Sequence, residues 1–342
     1  MKIGLVGYQG AGKSTLFEWL TGVRPDPALA HTQQAAATPV PEPRVAALCE
    51  VYHPKKITLA SLDLVDTPGL SRTHEGNPAR LGHIREAGCL VLVTSAVARP
   101  DPLADLASFE EDLLLADMEI VGGRLERLRD SLRKPRPNRD QEQAELTALE
   151  PILAAMEGGK PMRTSDMNDA QVKATRSFRL LSEKPRMIVV NVDDDEAKPE
   201  RFEEKSTPDC PVVAVPLRLQ LELAQMEAAE RAALVEEMGL KVYDRDSLLR
   251  TIMGASGQML YFTAGEKEVR TWMIHKGGTA LEAADNIHSD LARGFIRAEV
   301  MTCADLIRLG SEREIKANNL VRQEPKDYVV RDGDILNIKF SV

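Results

Sequence analysis

The sequence predicts an α/β protein: a doubly wound, largely parallel sheet, interrupted by a helical coiled-coil insertion and followed by a small α+β domain. Three observations carry this. Short apolar runs of the buried-strand kind recur at 2–6, 61–65, 89–94, 187–191 and 212–215, the rhythm of strands buried on both faces and joined by crossover helices. Between the third and fourth runs, Leu114, Met118, Val121, Leu125, Leu128 and Leu132 recur at alternating intervals of four and three, which is a heptad seam. From about Gly257 the pattern turns to strand-like segments at 259–262, 269–274, 295–301 and 335–340, with short amphipathic helices at 281–287 and 304–309.

A chain of 342 residues is expected to form two domains or more. Lys plus Arg number 44 against 53 Asp plus Glu, a net charge of −9, so binding to nucleic acid through overall charge is excluded and any attraction must be local. Cys49, Cys89, Cys210 and Cys303 lie too far apart for a metal-ligand pair or redox couple. Reduced thiols are expected. Glycines break the first apolar run short of a signal-peptide core, and no later run approaches the ~18 residues of a membrane span. A cytoplasmic protein without membrane association is expected, with a monomer as the working state.

After the breaker Lys134-Pro135-Arg136-Pro137-Asn138, a second seam runs through Leu146, Leu149, Leu153 and Met156 to Gly158-Gly159, so two helices are expected to fold back as a hairpin. Gly122-Gly123 should loosen the first helix, and Pro151 should kink or restart the second. Around the turn, Arg124, Arg127, Arg129, Arg133, Lys134, Arg136 and Arg139 outnumber Glu126 and Asp130. That basic tip suits RNA phosphates; the alternative is a solvated face carrying ion pairs. The expected organisation is a parallel-sheet domain at 1–104 and 185–257, the helical insertion at 105–184 and the last domain at 258–342.

Gly7-Tyr8-Gln9-Gly10-Ala11-Gly12-Lys13-Ser14 matches G-x-x-x-x-G-K-[ST] between a strand and an amphipathic helix, the context a phosphate-binding loop needs. Its glycines let backbone N–H groups turn toward a β-phosphate. Lys13 would bridge the β- and γ-phosphates, and the Ser14 hydroxyl would ligate Mg²⁺. Phosphate contacts are expected from Gly7, Gln9, Gly10, Ala11, Gly12, Lys13, Ser14, Thr15 and Gly69.

Asp66-Thr67-Pro68-Gly69 at the end of a strand has the D-x-x-G form, in which Asp66 holds Mg²⁺ through a water and the Gly69 N–H senses a γ-phosphate. Thr32 or Thr38 would complete the metal shell. Leu70 stands where Ras-like GTPases place a water-orienting glutamine, and it cannot hydrogen-bond water. The strand at 187–190 leads into Asn191-Val192-Asp193-Asp194, the position of the guanine-reading N-K-x-D pattern without its lysine. Asn191, Val192 and Asp194 are the base-binding candidates, and Asp193 to Glu196 can equally be a solvated acidic loop.

These residues resemble the Obg-like ATPases of YchF type, P-loop proteins of the GTPase superclass. The resemblance is most specific in Phe262-Thr263-Ala264-Gly265-Glu266-Lys267-Glu268-Val269-Arg270, Trp272, His275-Lys276-Gly277 and Gly294-Phe295-Ile296-Arg297-Ala298-Glu299-Val300, which look like a TGS domain of β-grasp fold. It spans essentially the whole chain. It implies a cytosolic ATP- or GTP-binding factor that associates with ribosomes. Gly10 replaces an asparagine that the family associates with a potassium ion, so little potassium stimulation is expected. Asp194 replaces the glutamate of the family's N-x-x-E, leaving ATP and GTP both open. The loop at 97–102 lacks the family's candidate catalytic histidine, and His74 and His83 are the nearest imidazoles in sequence.

Three function classes fit: a ribosome-associated nucleotide switch with slow or impaired hydrolysis, a non-hydrolysing scaffold that keeps the fold, and a small-molecule P-loop kinase. A kinase needs a lid and an acceptor site, whereas this sequence shows D-T-P-G, a degenerate N-x-x-D and a TGS-like domain. The first class is the expectation, with the catalytic group unidentified.

Overall fold

A computed structural model describes residues 1–97, 101–134, 137–162, 166–196 and 198–341. In chain order the first elements are β1 (Lys2–Val6), α1 (Lys13–Thr21), β2 (Gln34–Pro39), α2 (Arg44–Tyr52), β3 (Ile57–Thr58), β4 (Ser61–Asp66), α3 (Asn77–Arg85) and β5 (Cys89–Ser95). The helical insertion follows as α4 (Pro102–Leu132), α5 (Arg139–Glu157) and α6 (Asp169–Thr175). Next come β6 (Arg186–Asn191), β7 (Val212–Val215), α7 (Leu217–Gln225), α8 (Ala228–Met238) and α9 (Arg245–Ala255). The remainder is β8 (Gln258–Ala264), β9 (Val269–His275), α10 (Ala280–Ile287), α11 (Ser289–Arg293), β10 (Phe295–Thr302), α12 (Cys303–Leu309), α13 (Glu312–Ala317), β11 (Arg322–Glu324) and β12 (Asp334–Phe340). Contacts divide the chain into two compact units, Met1–Ala36 with Asp63–Tyr243 and Ala37–Leu62 with Asp244–Val342.

In the first unit, neighbouring strands run in the order β4-β1-β5-β6-β7, all parallel, with Leu5 opposite Asp66, Val6 opposite Leu92, Thr94 opposite Val190 and Asn191 opposite Val215. The apolar runs are explained by double-sided burial: Ile3, Leu5, Val6, Leu90, Val91, Val189 and Val190 are all fully buried.

The heptad seams form the hairpin core. Val121, Leu125 and Leu128 of α4 pack against Leu149, Ile152 and Met156 of α5. Both helices run on through Gly122-Gly123 and through Pro151. Gly122 faces Leu153 across the seam, where a Cβ would sit 4.0 Å from Leu153 Cδ2. Pro151 and Thr147, whose carbonyl the proline leaves without a helical donor, are both solvent-exposed, so water can serve that carbonyl. The basic tip is also less bare than its composition suggests. Arg124 binds Glu145 in bidentate fashion (2.7 Å for both bonds), Arg129 pairs with Glu150 at 2.9 Å and Arg133 with Asp130 at 3.3 Å. Arg136 lies outside the described residues, as do 98–100 of the loop from which the family's histidine is missing.

Sequence pattern placed residues 37–62 with the nucleotide half, whereas contacts group them with the C-terminal residues. The reason is strand pairing and ion pairing. β3 adds in parallel to β9, Ile57 opposite Val269, and Arg44 of α2 joins Glu42 to Asp332 with bonds of 2.7 Å to each. The mixed sheet of this unit has the order β11-β10-β12-β8-β9-β3. Ala280 and Ala283 of α10 pack into its core, and Tyr261 fixes the helix by donating to the Ala283 carbonyl at 2.8 Å. Trp272 stacks on Tyr261 and Phe295 packs against the same core. This is the β-grasp arrangement expected of the last domain.

One buried group holds the insertion to the sheet unit. Asp117 of α4 is 0% exposed and accepts from Arg85 Nη1 (2.9 Å), the Leu181 N–H (2.9 Å), and both the N–H and the hydroxyl of Ser182 (2.8 Å each). Removing a fully satisfied buried carboxylate leaves its donors unpaired. Asp117→Ala is therefore expected to lower urea-denaturation stability by about 3–5 kcal/mol; a loss below ~1 kcal/mol would show that α4 is anchored elsewhere.

Candidate nucleotide-binding site

Parallel pairing brings the C-terminal ends of β1, β4 and β6 to one edge of the sheet, where the three following loops meet. The loop after β1 turns through positive φ at Gly7 (142°), Gly10 (78°) and Gly12 (106°). Two of these glycines also lack room for a side chain. A Cβ on Gly7 would come within 2.3 Å of the Val93 carbonyl oxygen, and one on Gly12 within 2.8 Å of Asn191 Nδ2.

Lys13 opens α1 with its side chain 6% exposed. Its ammonium donates to the Tyr8 carbonyl at 2.8 Å. Burial lowers its pKa to about 8 against the upward pull of Asp66, with Arg80 adding to the depression. Ser14 donates its hydroxyl proton to Asp66 Oδ2 at 2.6 Å. Asp66 is 8% exposed and its Oδ1 is buried without a partner. Burial raises its pKa while Ser14 and Lys13 oppose the rise. An orphaned carboxylate oxygen beside a serine hydroxyl suits a hard cation that keeps its waters, as Mg²⁺ does. Among the described residues no group of three or more acidic, His or Cys side chains could hold a metal, so such an ion would take its remaining ligands from phosphate and water.

The loop after β4 is clipped onto the phosphate loop. The Leu70 N–H donates to the Gly7 carbonyl at 3.1 Å, and the Gln9 N–H donates to the Leu70 carbonyl at 3.0 Å. The Leu70 side chain is fully buried in the core cluster, which accounts for an apolar residue there. Gly69 lies so close that a Cβ would sit 2.6 Å from Lys13 Nζ.

Between these loops opens a cavity of about 480 Å³, lined by Gln9, Gly10, Lys13, Ser14, Thr15, Asp66, Gly69 and Thr32 among others. The structure thus gathers most of the expected phosphate and metal set, including Thr32, whose hydroxyl donates to the Leu29 carbonyl at 2.9 Å. Thr38 is buried in β2 and does not line the cavity. Gly7 and Ala11 instead border a smaller cavity of about 180 Å³ with Tyr8, Arg72, Asp105 and Phe109. There the Tyr8 hydroxyl donates to Asp112 of α4 at 2.8 Å, Arg72 covers the Tyr8 ring at 4.5 Å and pairs with Asp105, and His74 lies 3.4 Å from Asp112.

The base-reading set is not gathered into the large cavity. Asn191 bridges backbones, donating to the Ala11 carbonyl at 3.4 Å and accepting from the Leu217 N–H at 3.2 Å. Val192 is 2% exposed within the core cluster, so its side chain offers no surface to a base. Asp194 is solvent-exposed. Sequence reasoning also missed Arg24, His31 and Arg80, which line the cavity; the available signal was that Arg80 follows D-x-x-G on the next helix.

Because the folded chain holds the Lys13 proton less firmly than the unfolded chain, the unfolded state binds more protons between about pH 8 and the ordinary lysine value of 10.5. Stability through this group therefore rises with pH across that window, and the penalty is fully present below it. Lys13→Met removes the buried charge, while the Tyr8 carbonyl keeps the Ala11 N–H at 3.3 Å. The variant without nucleotide is expected to exceed wild type in urea-denaturation stability by about 1–3 kcal/mol at neutral pH, the gap narrowing toward pH 10; a less stable variant at neutral pH would contradict the assignment.

Residues 2–121 match the family described as 50S ribosome-binding GTPase, and residues 259–341 match YchF-GTPase_C, described as a protein of unknown function. The chain is 33% identical to the ribosome-binding ATPase YchF of Bacillus subtilis, over 99% of both chains. It is 34% identical to Obg-like ATPase 1 of Oryza sativa subsp. japonica, over 100% of this chain and 92% of that one. A solved structure, the Schizosaccharomyces pombe YchF GTPase, superimposes with a TM-score of 0.82 at 26% identity, covering 99% of this chain and 97% of the other. The chain belongs to the YchF family of Obg-like ATPases.

Proposed function

We propose that the chain is a cytoplasmic, ribosome-associated nucleotide switch that binds ATP or GTP with Mg²⁺ and hydrolyses it slowly. The observation that carries the reading is the cavity in which Lys13, Ser14, Asp66 and Gly69 converge, with Asp66 Oδ1 lacking a partner. Loop N–H groups and Lys13 hold the β-phosphate and its neighbours, and the Gly69 N–H meets the terminal one. Ser14, Asp66 and Thr32 would hold Mg²⁺, which supplies charge neutralisation when bound. Buried Leu70 positions no water, so slow turnover is the natural consequence. The parallel-sheet unit serves the nucleotide, and the hairpin at 105–184 and the β-grasp domain at 258–342 serve the partner. The ribosome reading draws on relatives named as ribosome-binding. The chain acts as a monomer, and the hairpin tip adds a weak contact to RNA phosphates.

Calorimetric titration with ATP, GTP and ADP is expected to show Mg²⁺-dependent triphosphate binding that Lys13→Ala weakens at least tenfold, with turnover well below ~1 s⁻¹ and little response to potassium. Equal binding by wild type and variant, or by neither, would refute the nucleotide reading. Fast turnover by the isolated chain would refute slow hydrolysis. For the partner, charge reversal at Arg133, Lys134 and Arg136 is expected to reduce salt-sensitive co-sedimentation with ribosomes without unfolding the chain. Unchanged co-sedimentation would leave the tip as a solvated face.

A further inference from the structure

Beyond Lys13 and the Gly69 N–H, no sequence motif supplies a further group for charge developing on a terminal phosphate: Leu70 is buried, and the loop at 97–102 holds no histidine. The cavity holds one. Arg80 of α3 is half-buried at the cavity wall. It donates to the Glu75 carbonyl at 3.3 Å and forms no ion pair among the described residues. Facing it in the same cavity is the buried ammonium of Lys13. None of the carboxylates lining the cavity pairs with Arg80: Asp66 accepts from Ser14 at 2.6 Å and lies beside Lys13, Asp26 caps the Ala28 N–H at 2.9 Å, and Glu18 accepts from Gln225 at 3.2 Å. Arg80 thus brings to the cavity wall a charge that no ion pair among the described residues neutralises, and the terminal phosphate of a bound polyanion supplies the missing counter-charge.

The backbone of Arg80 is held in register with the Gly69 loop. Asn77, the first residue of α3, is 5% exposed; its side chain accepts from the Ser71 N–H at 2.8 Å and donates to the Ser71 carbonyl at 2.9 Å. The start of α3 is thereby tied two residues beyond Gly69. Glycine at 76, with φ of 71°, supplies the turn into the helix. Arg80 consequently sits on the side of the cavity where the D-x-x-G loop meets a terminal phosphate, and not on the side of the base.

We propose that Arg80 is the residue of this chain that grips the terminal phosphate of a bound nucleoside triphosphate, an internal arginine finger that distinguishes triphosphate from diphosphate and stabilises the transition state of hydrolysis. The inference rests on the nucleotide reading above and deepens it. In the reaction, a water oxygen bonds to the terminal phosphorus as the bond to the bridging oxygen breaks. The products are nucleoside diphosphate and inorganic phosphate, and the water proton leaves to solvent. Arg80 exchanges no proton; its planar fork of donors spans two phosphate oxygens while negative charge spreads over them. A lysine would place a point charge there without the fork, so Arg80→Lys should only partly replace it.

The test uses the full chain with Mg²⁺ and compares the β,γ-imido analogues of ATP and GTP with ADP and GDP, for wild type, Arg80→Ala, Arg80→Lys and Lys13→Ala. Arg80→Ala is expected to weaken analogue binding tenfold or more, to change diphosphate binding less than twofold, and to slow single-turnover hydrolysis at least tenfold, with Arg80→Lys between. Lys13→Ala should weaken both ligand classes. A variant at Arg80 that keeps wild-type analogue binding and turnover, or loses both ligand classes equally, overturns the proposal while the nucleotide reading stands. If wild type binds none of the four nucleotides, that reading fails and this one with it. Should Arg80→Ala not fold, wild-type triphosphate discrimination in Arg80→Lys overturns the proposal, and a partial loss confined to the analogue supports it.

Discussion

An ammonium group and a carboxylate lie side by side at the mouth of the parallel sheet, and neither has the partners that burial demands. Lys13 has one carbonyl and the field of Asp66; Asp66 has Ser14 on one oxygen and nothing on the other. Most buried polar groups in folded proteins are satisfied, so an unpartnered carboxylate oxygen beside a buried ammonium marks where stability gives way to function. Much of the surrounding structure keeps that shortfall in place. Positive φ at three glycines lets the loop close under α1, Asn191 ties it to the turn before α7, and Leu70 clips the D-x-x-G segment against it.

The same geometry links the nucleotide loop to the long helix. Tyr8 belongs to the loop, yet its hydroxyl ends on Asp112 of α4, and Arg72 and His74, just past Gly69, contact α4 carboxylates as well. A shift of the Gly69 segment would therefore be felt in α4, which continues without interruption to the hairpin turn. Asp117 sets the other boundary of that helix, fixing it to the 178–182 segment.

Strands of the sheet unit were legible because burial on both faces leaves a continuous apolar signature, and 2–6 and 212–215 match β1 and β7 to the residue. The phosphate loop and D-x-x-G were legible because their chemistry is local in sequence. β3 was not, since two residues without apolar alternation become a strand only when β9 offers its edge. The tip looked bare because composition cannot show that Arg124 and Glu145, on different helices, meet across the hairpin. Val192 looked like a base contact by motif alignment, although its position at the end of β6 commits its side chain to the core. Arg80 carried no motif at all; only the fold brings its side chain to the cavity of Lys13.

The central claim is that this under-satisfied cavity is completed by a triphosphate together with Mg²⁺. Ligand that binds only the folded chain raises its stability by an amount set by free concentration and affinity. The most direct measurement is thermal unfolding of the wild-type chain with ATP or GTP at saturating concentration, with Mg²⁺ and with the metal chelated. The account predicts a rise in Tm that needs triphosphate and Mg²⁺ together, because each supplies partners the other cannot. No rise, or the same rise after chelation, would contradict it.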